Sequence, residues 1–114
     1  MHELALMDSV MNIVRSSAQQ RDIRRVTKIM LVVGEFSMVV PDSLRFAFEA
    51  LSQEEIFQGT ELELKLIPLL CGCRLCAQEY VPRDHYDLIC PYCSSDTVDI
   101  LAGRELQIEY YEGE

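Results

Sequence analysis

The sequence predicts a mixed α and β fold, in which a small sheet of about three strands packs with two helices. A cysteine-rich segment is predicted as an insertion before the last strand. Three observations predict this class: two segments carry apolar residues at helical spacing, three others resemble strands, and four of the five cysteines fall in two close pairs. With 114 residues, the chain is long enough for one ordinary core and a small appendage.

The first helix is predicted from Leu4 to about Gln20, where apolar residues recur on one helical face. These residues are Leu6, Val10, Ile13, Val14 and Ala18. A second helix is predicted to begin at Pro41, because proline is favoured in the first turn of a helix. Its apolar stripe consists of Leu44, Ala47, Phe48 and Leu51.

Three segments are predicted as strands. Residues 26–33 form an apolar run, rich in β-branched side chains, that Gly34 closes. Residues 61–66 alternate strictly between charged residues and leucines, and Pro68 ends this strand. Residues 105–110 alternate between polar residues (Glu and Gln) and apolar or aromatic ones (Leu, Ile and Tyr). Because right-handed crossovers connect parallel strands, the strand–helix–strand order predicts that the first two strands run parallel.

The predicted domains follow from this order. Residues 1–69 and 104–114 are expected to form the α/β body, and residues 70–103 the inserted domain. We expect the last strand to return to the sheet of the body, because a lone strand would have nothing to cover its apolar face.

The inserted segment carries the pattern Cys73-x-x-Cys76, thirteen further residues, and Cys90-x-x-Cys93. Two residues between cysteines let a tight turn aim both sulfurs at one ion, and two such turns complete a tetrahedron. The pattern therefore predicts a zinc-ribbon-like domain with a structural Zn²⁺. Iron in a rubredoxin-like site is the competing interpretation, since it accepts the same four-sulfur geometry. Four protein ligands leave no open position for water or substrate.

Metal binding is expected to hold this segment together, because residues 70–103 contain few large apolar side chains. A structural zinc contributes on the order of 10 kcal/mol to folding in zinc-finger peptides. Cys71 is left over and is interpreted as a bystander, with exchange against Cys73 as the alternative. His85 is interpreted as a solvated loop residue.

Composition excludes several classes of protein. Ten Lys and Arg against nineteen Asp and Glu give a net charge of −9, which argues against nucleic-acid binding. No apolar run is long enough to cross a bilayer, and the first residues lack the features of a signal peptide. We therefore expect no membrane association and a cytoplasmic location. No phosphate-binding glycine loop and no histidine near a nucleophile are present in the sequence, so an enzyme is not expected.

The amino terminus carries a second candidate metal site. The α-amine of Met1, the amide nitrogen of His2 and the His2 imidazole can form adjoining chelate rings around one ion. Nitrogen donors in a square-planar or tetragonal arrangement suit Ni(II) or Cu(II). A frayed, solvated terminus is the alternative interpretation of His2. The alternative for Glu3 is that a carboxylate in the first helical turn complements the helix dipole.

Several motifs together carry a family resemblance. They are the opening Met-His-Glu-Leu-Ala-Leu, residues 25–27, 33–37 and 41–48, the two cysteine pairs, and residues 103–106. In combination they resemble the HypA/HybF family of nickel chaperones for hydrogenase maturation. The resemblance covers essentially the whole chain, with its motifs in the family's order.

The resemblance implies a protein that binds Ni(II) and passes it to the large-subunit precursor of a [NiFe]-hydrogenase. A GTPase of the same maturation pathway is the implied second partner. The nickel site carries over to Met1, His2 and Glu3. The structural zinc carries over to Cys73, Cys76, Cys90 and Cys93. The family's fold is a nickel domain with a zinc domain inserted before the last strand, and it agrees with the layout predicted from periodicity. We expect the protein to be a monomer or a weak dimer.

Two positions depart from the family's pattern, which usually has glycine after the second cysteine of each pair. Here Ala77 and Ser94 occupy those positions. If either turn needs a left-handed backbone, its side chain is predicted to cost about 1 kcal/mol of strain.

Two other functions remain open from the sequence. A zinc-ribbon adaptor for protein–protein contacts would leave His2 without a role. A redox-active dithiol protein is the third interpretation, since Cys-x-x-Cys pairs can cycle. It is the weakest of the three, because two such pairs at ribbon spacing favour metal binding.

Overall fold

The computed structural model describes residues 3–84 and 86–114. Within these residues it contains two α-helices, six strands and two short 3₁₀ turns. In chain order they are α1 (Glu3–Gln20), β1 (Val26–Gly34), a 3₁₀ turn (Glu35–Ser37), α2 (Pro41–Leu51), a second 3₁₀ turn (Glu55–Phe57), β2 (Glu61–Ile67), β3 (Leu70–Cys73), β4 (Glu79–Tyr80), β5 (Val98–Ala102) and β6 (Leu106–Gly113). In this part of the chain, neither helix is long and apolar enough to cross a membrane. The predicted fold class is confirmed.

The chain divides into two compact units. The first comprises the chain up to Val32, Val39–Lys65 and Gln107–Glu114, and the second comprises Val33–Met38 and Leu66–Leu106. The main part of the second unit therefore begins four residues before the inserted domain predicted at 70–103. The unit also contains the last two residues of β1 and the short segment after them, up to Met38. The domain boundaries of the sequence analysis stay a prediction beside these contact-based units.

The first sheet has the strand order β2-β1-β6. Backbone hydrogen bonds join Arg25 to Glu114 at one end of β1 and Gly34 to Glu105 at the other, so β1 and β6 run antiparallel. On the other side, the Thr60 hydroxyl donates to the Val26 carbonyl, and Lys28 pairs with Glu63 at 3.2 Å. From the first of these contacts to the second, the residue numbers increase on both strands. Strands β1 and β2 therefore run parallel, as the right-handed crossover predicts.

Helix α1 buries one face, but not quite the predicted one. Its buried residues are Met7, Val10, Met11, Val14 and Ala18. Ile13 was expected on this face and is 60% exposed, so that prediction is wrong. Val10, Val14 and Ala18 define a stripe along the helix, and Met7 and Met11 continue this stripe at the i, i+4 spacing, whereas Ile13 lies beside it.

An aspartate ends helix α1. Asp22 adopts a left-handed backbone with φ of 56°. Its N–H donates to the Gln19 carbonyl at 3.4 Å, and the Ile23 N–H donates to the Ala18 carbonyl at 2.9 Å. This pair of bonds is the Schellman arrangement, which satisfies carbonyls at the helix end and turns the chain towards β1.

Helix α2 begins at Pro41, as predicted, and buries Leu44, Ala47 and Phe48. The proline supplies a φ angle suited to the first turn and needs no hydrogen-bond partner for its nitrogen. Helices α1 and α2 contact each other in the first unit. Phe46, on the outer side of α2, is 73% exposed.

The second sheet, of order β4-β3-β5, was not predicted from the sequence. Strand β3 pairs antiparallel with both neighbours, with Cys71 opposite Tyr80 on one side and opposite Ile100 on the other. These strands are two to five residues long, so the two-residue alternation is too brief to identify them.

Candidate metal centre

The first metal-binding turn follows β3 directly. Cys73 is the last residue of β3, and its N–H donates to the Gln78 carbonyl at 2.9 Å. The Ala77 N–H donates to the Cys73 carbonyl at 3.0 Å, which folds the intervening residues into a tight turn. The Cys76 N–H points at the Cys73 sulfur at 3.5 Å. The turn therefore places the sulfurs of Cys73 and Cys76 on the same side of the turn, where both can reach one ion.

The second metal-binding turn repeats the first at the same spacing. The Cys90 N–H donates to the Ser95 carbonyl at 2.9 Å, and the Ser94 N–H donates to the Cys90 carbonyl at 2.9 Å. The Tyr92 N–H lies 3.4 Å from the Cys90 sulfur. The two turns therefore share the same pattern of backbone hydrogen bonds.

The two turns bring four sulfurs together. Cys73 Sγ lies 3.5 Å from Cys93 Sγ, and Cys76 Sγ lies 3.6 Å from Cys90 Sγ. All four sulfurs lie within 4.8 Å of one another. A tetrahedron with Zn–S bonds of 2.3 Å has sulfurs about 3.8 Å apart. The donor set and its spacing therefore fit a four-coordinate Zn²⁺ without a rearrangement of the backbone.

Each turn contains a non-glycine residue in the left-handed region. Ala77 has a φ of 62° and Ser94 a φ of 63°, and each follows the second cysteine of its pair. A side chain in this conformation meets the following carbonyl oxygen, so both turns carry strain. The condition stated from the sequence, that these turns need a left-handed backbone, is met at both positions.

The sulfurs differ in their affinity for protons. Hydrogen bonding from the Cys76 backbone, the largest influence, lowers the pKa of Cys73 to about 6. The Ser95 backbone also lowers the pKa of Cys93, but the Cys73 thiolate and burial outweigh it and raise this pKa to about 12. Without a cation, the cluster therefore ionises at Cys73 first and retains a proton at Cys93, because adjacent negative charges repel.

The metal-binding turns rest on a small core in the second unit. Its buried members are Leu69, Cys71, Cys73, Tyr80 and Cys90. The Tyr80 hydroxyl donates to the Leu88 carbonyl, which ties β4 to the segment before the second cysteine pair. Three of the five buried residues are cysteines, and the other apolar residues packed against them are only partly buried, so the second unit has a small apolar core.

Cys71 lies outside the four-sulfur cluster. It is fully buried in β3, and burial raises the pKa of its thiol. A buried, protonated thiol is a poor ligand. These observations favour the bystander interpretation of Cys71.

A salt bridge braces the first metal-binding turn. The Arg74 guanidinium contacts Asp99 of β5 at 2.6 Å and 2.9 Å, and the Arg74 N–H donates to the Thr97 carbonyl at 3.0 Å. Hydrogen bonding to Arg74 lowers the pKa of the Asp99 carboxyl. Both side chains are partly solvated, so the pair orients the turn more than it stabilises the fold.

The candidate nickel site is only partly within the described residues. Met1 and His2 lie outside them, as does His85 of the loop between the cysteine pairs. Glu3 is described: it is the first residue of α1 and is half-buried. The nickel ligands therefore stay a prediction.

Glu3 lines an open groove that the sequence analysis did not anticipate. The groove has a volume of about 470 Å³ and lies between the starts of α1 and α2. The remaining lining residues are Leu4, Asp42, Ser43, Phe46 and Ala47. The lining residues of α1 and those of α2 are about forty positions apart in the sequence, so no local pattern could have predicted the groove.

Comparison with known proteins gives the same assignment at the level of the family. Over residues 1–113 the chain matches the family described as "HypA: Hydrogenase/urease nickel incorporation, metallochaperone, hypA". It is 35% identical over 114 residues to the hydrogenase maturation factor HypA of Moorella thermoacetica, with 100% of both chains covered. It is 40% identical over 113 residues to guanidine hydrolase-activating protein A of Synechocystis sp., covering 98% of this chain and 94% of that relative.

A solved structure has the same fold. The solution structure of the Ni metallochaperone HypA from Helicobacter pylori aligns with a TM-score of 0.65 over 99% of this chain and 97% of that one. The two sequences are 21% identical, so this likeness concerns the fold.

The fold and the four-thiol cluster define a small metal-binding protein built from two compact units, of which one carries a zinc-type cysteine site. The family match then specifies the class further. The chain belongs to the HypA family, whose members are metallochaperones for nickel incorporation.

Proposed function

We propose that this protein binds Ni(II) at its amino terminus and delivers it for the maturation of a [NiFe]-hydrogenase. The observation that carries the proposal is the match to a nickel-incorporation family over residues 1–113, which includes the opening Met-His-Glu. Nickel is the cargo and not a resident cofactor.

The proposed ligands are the Met1 α-amine, the amide nitrogen and imidazole of His2, and the Glu3 carboxylate. Model α-amines titrate near 7.7–8.0 and imidazoles near 6.5, so both can lose their protons near neutral pH. Because Ni(II) competes with those protons, its affinity for this site is expected to fall as the pH is lowered. Reversible binding near pH 7 suits a protein that must release its metal.

The second part of the proposal is that the four-cysteine cluster holds Zn²⁺ in a structural role. The four neighbouring sulfurs are enough to fill a tetrahedral Zn²⁺ and would leave no position for a substrate, which supports a structural role. We propose no catalytic activity for the chain and a cytoplasmic location, where reducing conditions keep the cysteines available for metal. The proposed partners are a maturation GTPase and the hydrogenase large-subunit precursor.

A Ni(II) titration with three forms of the protein tests the nickel site. The forms are the protein with its native start, a variant with one extra residue before Met1, and His2→Ala. Tight Ni(II) binding is expected only for the first, because the extension moves the α-amine and the mutation removes the imidazole. Zinc content, measured by elemental analysis, is expected to be the same in all three. Equal nickel affinity in all forms would leave the zinc-ribbon adaptor without nickel function as the better description.

A second recipient has a specific observation in its favour. The relative named guanidine hydrolase-activating protein A is 40% identical to this chain, which is as similar as the hydrogenase maturation factor HypA of Trichodesmium erythraeum at 39%. A guanidine hydrolase is therefore the alternative target, and the family description also includes urease. Adding the Ni(II)-loaded protein separately to the metal-free hydrogenase precursor and to a metal-free guanidine hydrolase, and measuring the nickel that each retains, distinguishes these targets.

A further inference from the structure

Strand β2 lies at an edge of the first sheet. In the strand order β2-β1-β6 it has β1 on one side, and among the described residues no strand pairs with its other side. It runs over Glu61–Ile67 and contains neither proline nor glycine. The unpaired N–H and C=O groups along such an edge are a template for another strand. The edge is about 23 Å long, which is enough for a second strand to pair along it.

The apolar face of β2 is incompletely covered. Leu62, Leu64 and Leu66 share this face, because side chains alternate along a strand. Their burial decreases along the strand: Leu62 is buried, Leu64 is half-buried, and Leu66 is 58% exposed. If a second copy of β2 pairs antiparallel with the first, Leu66 of each copy lies opposite Leu62 of the other. The most exposed leucine of one strand then packs beside the most buried leucine of the other.

The charges on the opposite face of β2 select one register for this pairing. When the pairing is centred on Leu64, Glu63 of each copy lies opposite Lys65 of the other. A shift of two residues in either direction places two Glu63 or two Lys65 side chains opposite each other, which is unfavourable. Lys65 is available for a new contact, because its side chain is 56% exposed and lies 3.9 Å from Glu109 within its own chain.

The other edge of the sheet, strand β6, lacks this complementarity. Its charged residues are Glu109 and Glu112, and it contains no basic residue. Pairing of β6 with itself would bring carboxylates together without a compensating cation. Strand β2 is therefore the edge whose charges suit a second copy of this chain.

We propose that the protein forms a homodimer in which the two β2 strands pair antiparallel about a twofold axis at Leu64. The two sheets then become one, with the strand order β6-β1-β2-β2-β1-β6. A backbone N–H of the second copy replaces the Arg45 guanidinium, whose bond to the Leu62 carbonyl is long at 3.4 Å. A contact along one short strand is smaller than the interface of a stable dimer, so association is weak and depends on concentration. The dimer does not involve the proposed nickel ligands.

Two charge reversals test the proposed pairing, with sedimentation equilibrium of the full-length, zinc-loaded protein as the measurement. Glu63→Lys alone and Lys65→Glu alone each place like charges opposite one another at both symmetric positions. Each is expected to weaken dimerisation by about tenfold. A one-to-one mixture of the two variants is expected to associate about as tightly as the wild-type protein. In the mixed dimer the two substituted side chains face each other with opposite charges, and one native pair remains.

Two further variants complete the test. Glu112→Lys is the matched control, because it makes the same charge reversal on β6, and it is expected to dimerise like the wild type. Leu66→Ala removes the exposed leucine and is expected to weaken dimerisation with little effect on thermal unfolding, because the side chain is mostly solvated in the single chain. This variant tests the interface without disturbing the ion pair between Glu63 and Lys28.

The β2 dimer is overturned if the wild-type protein remains monomeric up to about 1 mM. It is also overturned if the three β2 variants dimerise like the wild type, or if the mixture associates no more than the separate variants. Nickel titration separates these results from the proposed function. The β2 variants are expected to keep Ni(II) affinity, whereas His2→Ala is expected to lose Ni(II) and to dimerise like the wild type.

Discussion

At the scale of single residues, the positions after each cysteine pair determine how easily the metal-binding turns form. Ala77 and Ser94 both have a left-handed backbone, with φ of 62° and 63°. The same two backbone hydrogen bonds close each turn, at Cys73 and at Cys90. Since the hydrogen-bond pattern requires this conformation, the strain of a β-carbon is present whenever the metal site is assembled.

Glycine at either position is therefore expected to stabilise the zinc-loaded protein. Ala77→Gly or Ser94→Gly relieves about 1–2 kcal/mol of strain and loses about 0.5–1 kcal/mol to the greater freedom of the unfolded chain. The expected net gain is about 0.5–1 kcal/mol for each substitution, measured by denaturant unfolding at fixed excess zinc. Gln78→Gly is the control, because Gln78 is not in the left-handed region and glycine there is expected to destabilise. An equal effect at positions 77 and 78 would contradict the strain argument.

Metal affinity at the cysteine cluster is expected to rise with pH. Above a pH of about 6, Cys73 is already a thiolate, whereas the raised pKa values of Cys76 and Cys93 mean that zinc must displace their protons. Each displaced proton changes the affinity by about tenfold per pH unit, so the protons of Cys76 and Cys93 alone give a change of about a hundredfold per pH unit. Below pH 6 the dependence is expected to steepen as Cys73 is protonated. Competition with a chromophoric chelator between pH 5.5 and about 8 measures this slope, and an affinity independent of pH would contradict the assignment.

At the scale of elements, packing in the first unit separates the inner and outer faces of α1. Met7 and Met11 are fully or almost fully buried, whereas Ile13 is 60% exposed. Methionine is flexible enough to fill irregular space between a helix and its neighbours. The helix thus depends on residues that the apolar periodicity did not single out.

Substitution within α1 tests this difference. Met11→Ala is expected to destabilise the first unit by about 2–5 kcal/mol, because it leaves a cavity in the core. Ile13→Ala, on the outer face of the same helix, is expected to change the free energy of unfolding by less than about 0.5 kcal/mol. Chemical denaturation of the two variants provides the comparison. Similar losses in both would mean that Ile13 contributes to the core after all.

At the scale of the whole molecule, the two units are stabilised by different interactions. The first unit buries large apolar residues from both helices, from its sheet and from the second 3₁₀ turn, among them Met7, Ile29, Leu44 and Phe57. In the second unit, cysteines make up most of the fully buried cluster. We therefore expect metal binding to stabilise the second unit as apolar burial stabilises the first.

A strong chelator is accordingly expected to unfold the second unit and leave the first folded. Amide resonances recorded before and after metal removal report on each unit separately. The matched variants are Cys73→Ala, which is expected to lose the metal, and Cys71→Ala, which is expected to keep one metal per chain because Cys71 lies outside the cluster. If both units kept their structure without metal, or both lost it, the different stabilisation of the two units would be refuted.

The sequence alone determined the elements whose signals are local. Pro41 marked the start of α2, the alternation in 61–66 marked a strand, and the spacing of the two cysteine pairs marked the metal cluster, because each depends only on neighbouring residues. The second sheet escaped prediction because its strands are too short to show a period. The nickel ligands Met1, His2 and Glu3 remain a prediction, which rests on the donor atoms of the amino terminus and on the family resemblance.

The tertiary structure decided which surfaces meet. Periodicity identifies an apolar face of α1, but only the elements packed against it determine that Met11 is covered and Ile13 is not. Likewise, Glu3 and Phe46 look unrelated in the sequence and line one groove because two helices begin side by side. Contacts between residues distant in the chain depend on how elements pack, and a local pattern carries no information about that packing.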